Sequence, residues 1–342
     1  RSYAGRAFAA ALQCARGGCG ECRECTTALS GAHADVTLVA TEKVTIAIDE
    51  VRDLISLAAT SPSGGRWRVI VVEDADRMTE RTSNVLLKSI EEPPARTVWV
   101  LCAPSPQDVA VTIRSRCRIV NLRTPDPEDV ARLLVERDGT DPALALECAL
   151  AAQSHIGVAR RLARDPEARA RREQVLALAT DIRGVGDAVF AAADLVEVAD
   201  ADAKAATEER DAEEKAQLMA TLGVDDGGRM PPALRAQVRQ LEEDQKRRAT
   251  RHKRDVLDRA ITDLMSLYRD VAVVQTRSSV RLVNLAHEGH IREIAGRTDL
   301  GDTMRCLDAL GTARERLAGN VAPLLALEAM ALELRPRAPA RG

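Results

Sequence analysis

The chain has 342 residues, of which 49 are Lys or Arg and 52 are Asp or Glu, so its formal net charge is only -3. That length is enough for two or three domains, each with its own core. The near-neutral charge argues against a protein that holds nucleic acid by net basicity, and 2% aromatic residues argue against base-stacking platforms. A membrane protein is not expected either, because no apolar run approaches the roughly 20 residues of a membrane-spanning helix, and no signal peptide is recognisable.

The first predicted helix, residues 4–12, is followed by a dense group of cysteines. Its members are Cys14, Cys19, Cys22 and Cys25. Four thiolates in one compact loop are the ligand set of a closed tetrahedral zinc site, and the glycines between them allow tight turns. The alternative is a set of reduced thiols or a redox pair. We predict a structural zinc ion, because a closed site leaves no coordination position for catalysis.

The other four cysteines are scattered along the chain, at Cys102, Cys117, Cys148 and Cys306. Scattered, unpaired cysteines in a large charged chain are typical of a reducing compartment rather than of a secreted disulfide scaffold. The sequence therefore predicts a cytoplasmic protein.

Strands and helices are predicted to alternate in the next part of the chain. Strands are expected at 36–40, 68–72, 97–102 and 118–122, and helices at 46–59 and 79–92. This alternation predicts a mostly parallel sheet with helices on both faces, and the apolar strands fit burial on both sides. The strand at 68–72 ends in Glu73 and Asp74, where open α/β sheets place their ligand chemistry.

After Pro127 the strand pattern disappears and the chain is predicted to be helical. Helices are expected at 127–136, 142–153, 156–164 and 166–180, and from residue 184 onwards with breaks near 223–228, 231–232 and Gly296. The segment 255–271 is strongly amphipathic. Residues 201–254 predict one or two long solvated helices. Their basic run, 246–254, could contact a nucleic-acid backbone, but the acids at 242–244 favour a solvent-exposed helix face.

Several motifs together resemble the bacterial clamp-loader subunits of the AAA+ family. They are the four-cysteine insert, VVEDADRM at 71–78, LLKSIEEPP at 86–94 and TIRSRC at 112–117. The resemblance covers essentially the whole chain. It implies an α/β AAA+ base with the zinc insert at residues 1–123, a helical lid at 124–182 and an all-α collar domain for oligomerisation at 183–342.

The resemblance also implies roles for individual residues. Arg116, in the motif Ser115-Arg116-Cys117, is expected to reach into the ATP site of the next subunit as an arginine finger. The alternative is an ordinary ion pair with a surface carboxylate. Remnants of the chain's own nucleotide site are expected at Arg1, Ser2, Glu73, Asp74 and Arg160.

That nucleotide site is expected to be degenerate. A P-loop needs G-x-x-x-x-G-K-[ST], but the chain opens on Arg1-Ser2, which suggests a piece missing from the front and Arg at the Lys position. Active relatives carry Asp and then Glu after the strand, whereas the order here is Glu73-Asp74. The segment 102–104, where the family has a polar sensor residue, has no side chain suited to sensing a γ-phosphate. Arg160 matches the family's second sensor. The alternative for Glu73 and Asp74 is that they only orient a loop. The alternative for Arg160 is that it ties the lid to the base through a carboxylate.

The resemblance implies a largely non-hydrolysing stator in a hetero-oligomer with gamma/tau and delta subunits, with ATP and Mg²⁺ held by its neighbour. Such an assembly opens a beta sliding clamp and places it on primed DNA during replication. The alternatives are an active motor subunit of the gamma/tau type and a zinc-dependent nucleic-acid-binding module. The reversed acids argue against the motor, and the near-neutral charge argues against the module.

Overall fold

The computed structural model describes residues 1–41, 44–221, 232–319 and 321–336. The chain divides into two compact units, Arg1–Leu122 with Glu242–Arg251, and Arg123–Leu241 with His252–Gly342. The division into three domains that the resemblance implies stays a prediction.

The first unit is built on a three-stranded parallel sheet with the order β1-β2-β3. The strands are β1 (Val36–Val39), β2 (Arg68–Val72) and β3 (Thr97–Leu101). Every residue of β2 is buried, because this strand has a neighbour on each side and packed residues on each face. The parallel sheet and three of its predicted strands are therefore confirmed.

Helices cover both faces of the sheet, as predicted. The helices of this part of the chain are α1 (Ser2–Gln13), α2 (Arg23–Ser30), α3 (Ile48–Ala58), α4 (Glu80–Glu91) and α5 (Val111–Arg114). Val69 and Val71 of β2 pack in a cluster with α1 and α2, while Ile70 and Val72 pack in another with α3 and α4. Consecutive residues serve opposite cores because side chains alternate along a strand.

The predicted strand at 118–122 is wrong. These residues have no regular secondary structure, and Ile119, Val120 and Leu122 are 50%, 73% and 55% exposed. Their apolar and β-branched side chains favour a strand. A strand also needs a neighbour that satisfies its N–H and C=O groups. In the described sheet this segment pairs with neither edge strand, β1 or β3.

The rest of the described chain is helical, as predicted after Pro127. The helices are α6 (Pro127–Asp138), α7 (Pro142–Ala151), α8 (Ile156–Arg164), α9 (Pro166–Asp181), α10 (Val185–Thr221), α11 (Pro232–Gln275), α12 (Glu288–Arg297), α13 (Leu300–Ala318) and α14 (Pro323–Leu334). Proline at the first turn of α6, α7, α9 and α14 fits because its fixed φ suits that position. The predicted break at 223–228 lies outside the described residues, as does residue 231, and Pro232 is the first residue of α11.

The core of the second unit is centred on the second half of α11. Leu257, Ile261 and Leu264 are at most 1% exposed, and Tyr268 is 4% exposed, which confirms the amphipathic segment expected there. The segment 201–254 falls in α10 and α11, so the expected long helices are confirmed where the chain is described. Among the described helices, none combines the length and the apolar character that crossing a lipid bilayer requires.

Candidate functional site

The four clustered cysteines converge in space. Cys14 directly follows α1, Cys25 lies in the first turn of α2, and Cys19 and Cys22 come from the segment between, so all four sulfurs lie within 4.8 Å of one another. The sulfur of Cys14 is 3.8 Å from that of Cys19 and 3.7 Å from that of Cys22, and the Cys19–Cys25 distance is 4.0 Å. Four sulfurs placed tetrahedrally at about 2.3 Å from zinc would be about 3.8 Å apart. The cluster therefore fits a four-coordinate metal ion such as zinc.

Glycines give the cysteine segment its turns. Gly17, Gly18 and Gly20 have φ values of 72°, 104° and 83°, which residues with a Cβ rarely adopt. The sequence predicted the four ligands but not α2, because the segment was expected to be one loop. The signals for α2 are the acidic Glu24 in its first turn and the left-handed Gly31 that ends it.

Backbone amides and burial shift the thiol pKa values of the cluster in opposite directions. Hydrogen bonding from the backbone of Cys19 is the main cause that lowers the pKa of Cys14 to about 5, and the Cys22 backbone likewise lowers the pKa of Cys19. The Gly20 backbone lowers the pKa of Cys25, but burial and the three neighbouring sulfurs outweigh it and raise this pKa to about 12. A metal ion bound here has to displace the remaining protons, since thiolates are the ligands.

The two carboxylates after β2 are both held by arginines. Arg6 Nε, from α1, donates to Glu73 Oε1 at 2.6 Å, and the Glu73 side chain is 11% exposed. Arg251 Nη2 donates to Asp74 Oδ2 at 3.2 Å. A carboxylate that already neutralises a guanidinium has less charge to offer a divalent cation. The sequence missed both partners, because no local pattern links residues so far apart along the chain.

The first two residues, which were expected to be remnants of a nucleotide site, lie at the start of α1. Arg1 is the exposed N-cap of α1, and Ser2 is its first helical residue. Cys102 is buried after β3, where its N–H donates to the Val72 carbonyl at 2.8 Å. At the expected sensor position the chain therefore presents a buried thiol.

Arg160 lies in the second unit and pairs there with a carboxylate. From α8 it reaches Asp138, the last residue of α6, with Nη2–Oδ1 and Nε–Oδ2 distances of 2.8 and 2.9 Å. Asp138 is almost fully buried, with 6% of its side chain exposed. This two-point pair joins two helices of the same unit, α6 and α8.

Arg116 lies at the surface, in the turn that follows α5. Its Nη1 donates to the Thr112 carbonyl at 2.9 Å, its Nε pairs with Glu91 at the end of α4, and 36% of its side chain is exposed. Ser115 donates its hydroxyl to the same Thr112 carbonyl at 3.1 Å. Cys117 packs against the α3/α4 core, and burial raises the pKa of its thiol. The motif therefore has one inward anchor, Cys117, and one outward cation, Arg116.

Known proteins match part of the chain. The family model described as "DNA polymerase III, delta subunit" matches residues 2–126. The chain is 37% identical over 152 residues to the DNA polymerase III subunit delta' of Pseudomonas aeruginosa, which covers 42% of this chain and 46% of that relative. It is 37% identical over 134 residues to the delta' subunit of Escherichia coli, covering 39% of this chain and 40% of that one.

Related subunits match at lower identity. The gamma/tau subunit of Mycobacterium tuberculosis is 30% identical over 139 residues, which is 39% of this chain and 24% of that relative. A gamma subunit-related protein from Thermotoga maritima aligns over 93% of this chain and 92% of its own, with 20% identity and a TM-score of 0.36. The matches to the two delta' subunits span less than half of each relative's length. The family model therefore matches the first part of the chain, residues 2–126, and the delta' subunits are similar to it over 134 to 152 residues.

Proposed function

We propose that this chain is the delta' subunit of a bacterial clamp loader, a stator that lends Arg116 to the ATP site of a neighbouring gamma/tau subunit. The family match of residues 2–126 supports this reading. The observation that carries it is a difference in exposure. Glu73 and Asp74, at the chain's own strand end, pair with arginines and are 11% and 26% exposed, whereas Arg116, although paired with Glu91, is 36% exposed at the surface.

The chemistry proposed for Arg116 is stabilisation of charge on a transferred phosphoryl group. A guanidinium is always protonated and presents N–H groups in a fork that matches phosphate oxygens. The pair with Glu91 holds this fork in place in the free chain, and a half-exposed ion pair of this kind contributes only about 0–1 kcal/mol. Arg116 can therefore exchange Glu91 for a phosphate at little cost.

In this proposal ATP and Mg²⁺ belong to the gamma/tau neighbour, and the chain's own metal is structural. Zinc would be held by the four clustered cysteines, where it supplies a cross-link between α1 and α2 and no chemistry. The proposed partners are gamma/tau and delta subunits, joined through a collar at 183–342. The assembly would open the beta sliding clamp and place it on primer–template DNA.

The test is the ATPase rate of the reconstituted complex, stimulated by clamp and primed DNA. Arg116→Ala is expected to lower this rate on the order of 10³-fold, the typical effect of removing an arginine finger. Arg116→Lys keeps the charge but loses the fork, so we expect only partial recovery. Arg118→Ala removes an exposed arginine two positions away and serves as the matched control. Equal rates for Arg116→Ala and Arg118→Ala would refute the finger.

A second candidate is an active motor of the gamma/tau type, favoured by the 30–31% identity to tau and gamma/tau subunits. The two candidates differ in what the isolated subunit does. A stator has no ATPase activity by itself, whereas a motor hydrolyses ATP and loses that activity when its strand-end carboxylates are replaced. Wild type and the Glu73→Gln variant, assayed alone as full-length protein, separate the two.

A further inference from the structure

The sulfurs of the cysteine cluster are unevenly protected from solvent. Cys14 and Cys25 are 2% and 0% exposed, while Cys19 and Cys22 are only partly buried. A bound metal is lost most easily where an exposed thiolate can be protonated, oxidised or taken by a competing ligand. Cys19 and Cys22 are therefore the two positions at which the cluster is open to attack.

Arg16 reaches one of these two positions. Its Nη2 donates to the sulfur of Cys19 at 3.1 Å, and its backbone N–H donates to the sulfur of Cys14 at 3.3 Å. One residue thus contacts two ligand atoms, one through its side chain and one through its main chain. Gly17, which follows with a φ of 72°, allows the chain to turn back beside the cluster.

We propose that Arg16 is a positioning residue for the metal site. Four thiolates around one divalent ion carry excess negative charge, which a neighbouring guanidinium stabilises. Its N–H group also fixes the Cys19 sulfur in the ligand set. Groups in this outer position typically change metal affinity by 10- to 100-fold. Cys22, which lacks such a cation in the described structure, is then the ligand at which metal loss begins.

The test is zinc affinity and zinc release, measured on the purified full chain by competition with a chromogenic chelator. Arg16→Ala is expected to weaken zinc binding about 10-fold or more and to speed release into excess chelator. The zinc affinity of Arg16→Lys, which keeps the charge, should lie between those of the wild type and Arg16→Ala. Arg23→Ala, an exposed arginine at the start of α2, is the matched control and should behave as wild type.

A second readout separates a local effect from misfolding. With cobalt in place of zinc, the sulfur-to-metal charge-transfer band reports the ligand set, and we expect Arg16→Ala to shift it while circular dichroism is unchanged. The inference rests on the proposed zinc ion, and the wild type tests that part separately. A wild type that binds no zinc would overturn the site itself. Zinc-loaded Arg16→Ala that matches Arg23→Ala would overturn only the role of Arg16.

Discussion

Asp35 is the buried carboxylate that fastens the segment before β2. It accepts the N–H of Ser63 at 2.7 Å and that of Gly64 at 3.0 Å, and Arg68 Nη1 lies 3.3 Å from its Oδ1. Burial by itself raises the pKa of Asp35. The amides of Ser63, Gly64 and Gly65 outweigh burial and bring this pKa to about 2, because they stabilise the charged form.

Asp35→Asn is expected to lower the free energy of unfolding by about 3–5 kcal/mol, since it leaves the Arg68 guanidinium buried without its counter-charge. Urea denaturation of the full chain measures this change. Asp49→Asn, at an acid whose side chain is 88% exposed, is the control and should change little.

The same carboxylate gives a pH dependence with a defined sign. The pKa of Asp35 is about 2 in the folded chain against the ordinary 3.8, so its stabilising effect is complete above about pH 4. It is lost as the pH falls from about 4 towards 2. The Asp35→Asn variant should lack this component, and an identical acid dependence of its unfolding free energy would contradict the assignment.

Single residues also show what the sequence could predict about the site. The four cysteines were predictable as candidate ligands because their short spacing along the sequence is typical of a metal site. Glu73 and Asp74 were placed correctly after β2, because an apolar run marks the strand and its end. Their partners Arg6 and Arg251 were not, since long-range ion pairs leave no periodic signal. Arg116 was singled out by its motif, and its pair with Glu91 matches the surface-carboxylate alternative in the free chain.

At the scale of elements, local patterns were sufficient wherever an element satisfies its own hydrogen bonds. Helices such as α4 and α8 lie within one or two residues of their predicted bounds, because turn residues and apolar periodicity are local. The segment 118–122 differs. A strand depends on a partner elsewhere in the chain, so its apolar, β-branched composition was not enough.

The pairing of α1 and α2 is the element-level feature that depends on the proposed metal. Removing a fully buried ligand with Cys25→Ser should reduce zinc from one ion per chain to a small fraction of that value by elemental analysis. Amide hydrogen exchange should then speed up in α1 and α2. Cys306→Ser, at a buried cysteine of the other unit, controls for loss of a buried thiol and should retain zinc.

The opposite outcome has a clear meaning. If Cys25→Ser keeps the wild-type zinc content and the wild-type exchange rates in both helices, the four sulfurs do not form one metal site. The sulfur spacing near 3.8 Å would then reflect packing of reduced thiols.

At the scale of the whole molecule, the order of the parts was predictable: a parallel α/β region comes first, and helices follow it. Both units carry their own cores, and the family match lies entirely in the first part of the chain. The proposed role of Arg116 depends on where the neighbouring subunit holds its nucleotide. Arg116 is proposed to act on the nucleotide of a neighbouring subunit, and not at the acids that follow β2 in its own chain.

A structure of the reconstituted complex with a non-hydrolysable ATP analogue tests this claim most directly. The measured quantity is the distance from the Arg116 guanidinium to the γ-phosphate oxygens in the adjacent gamma/tau subunit. The account predicts hydrogen-bond contact at about 3 Å, with the Glu91 pair broken. Arg116 still paired with Glu91, or facing open solvent beside an occupied site, would contradict it.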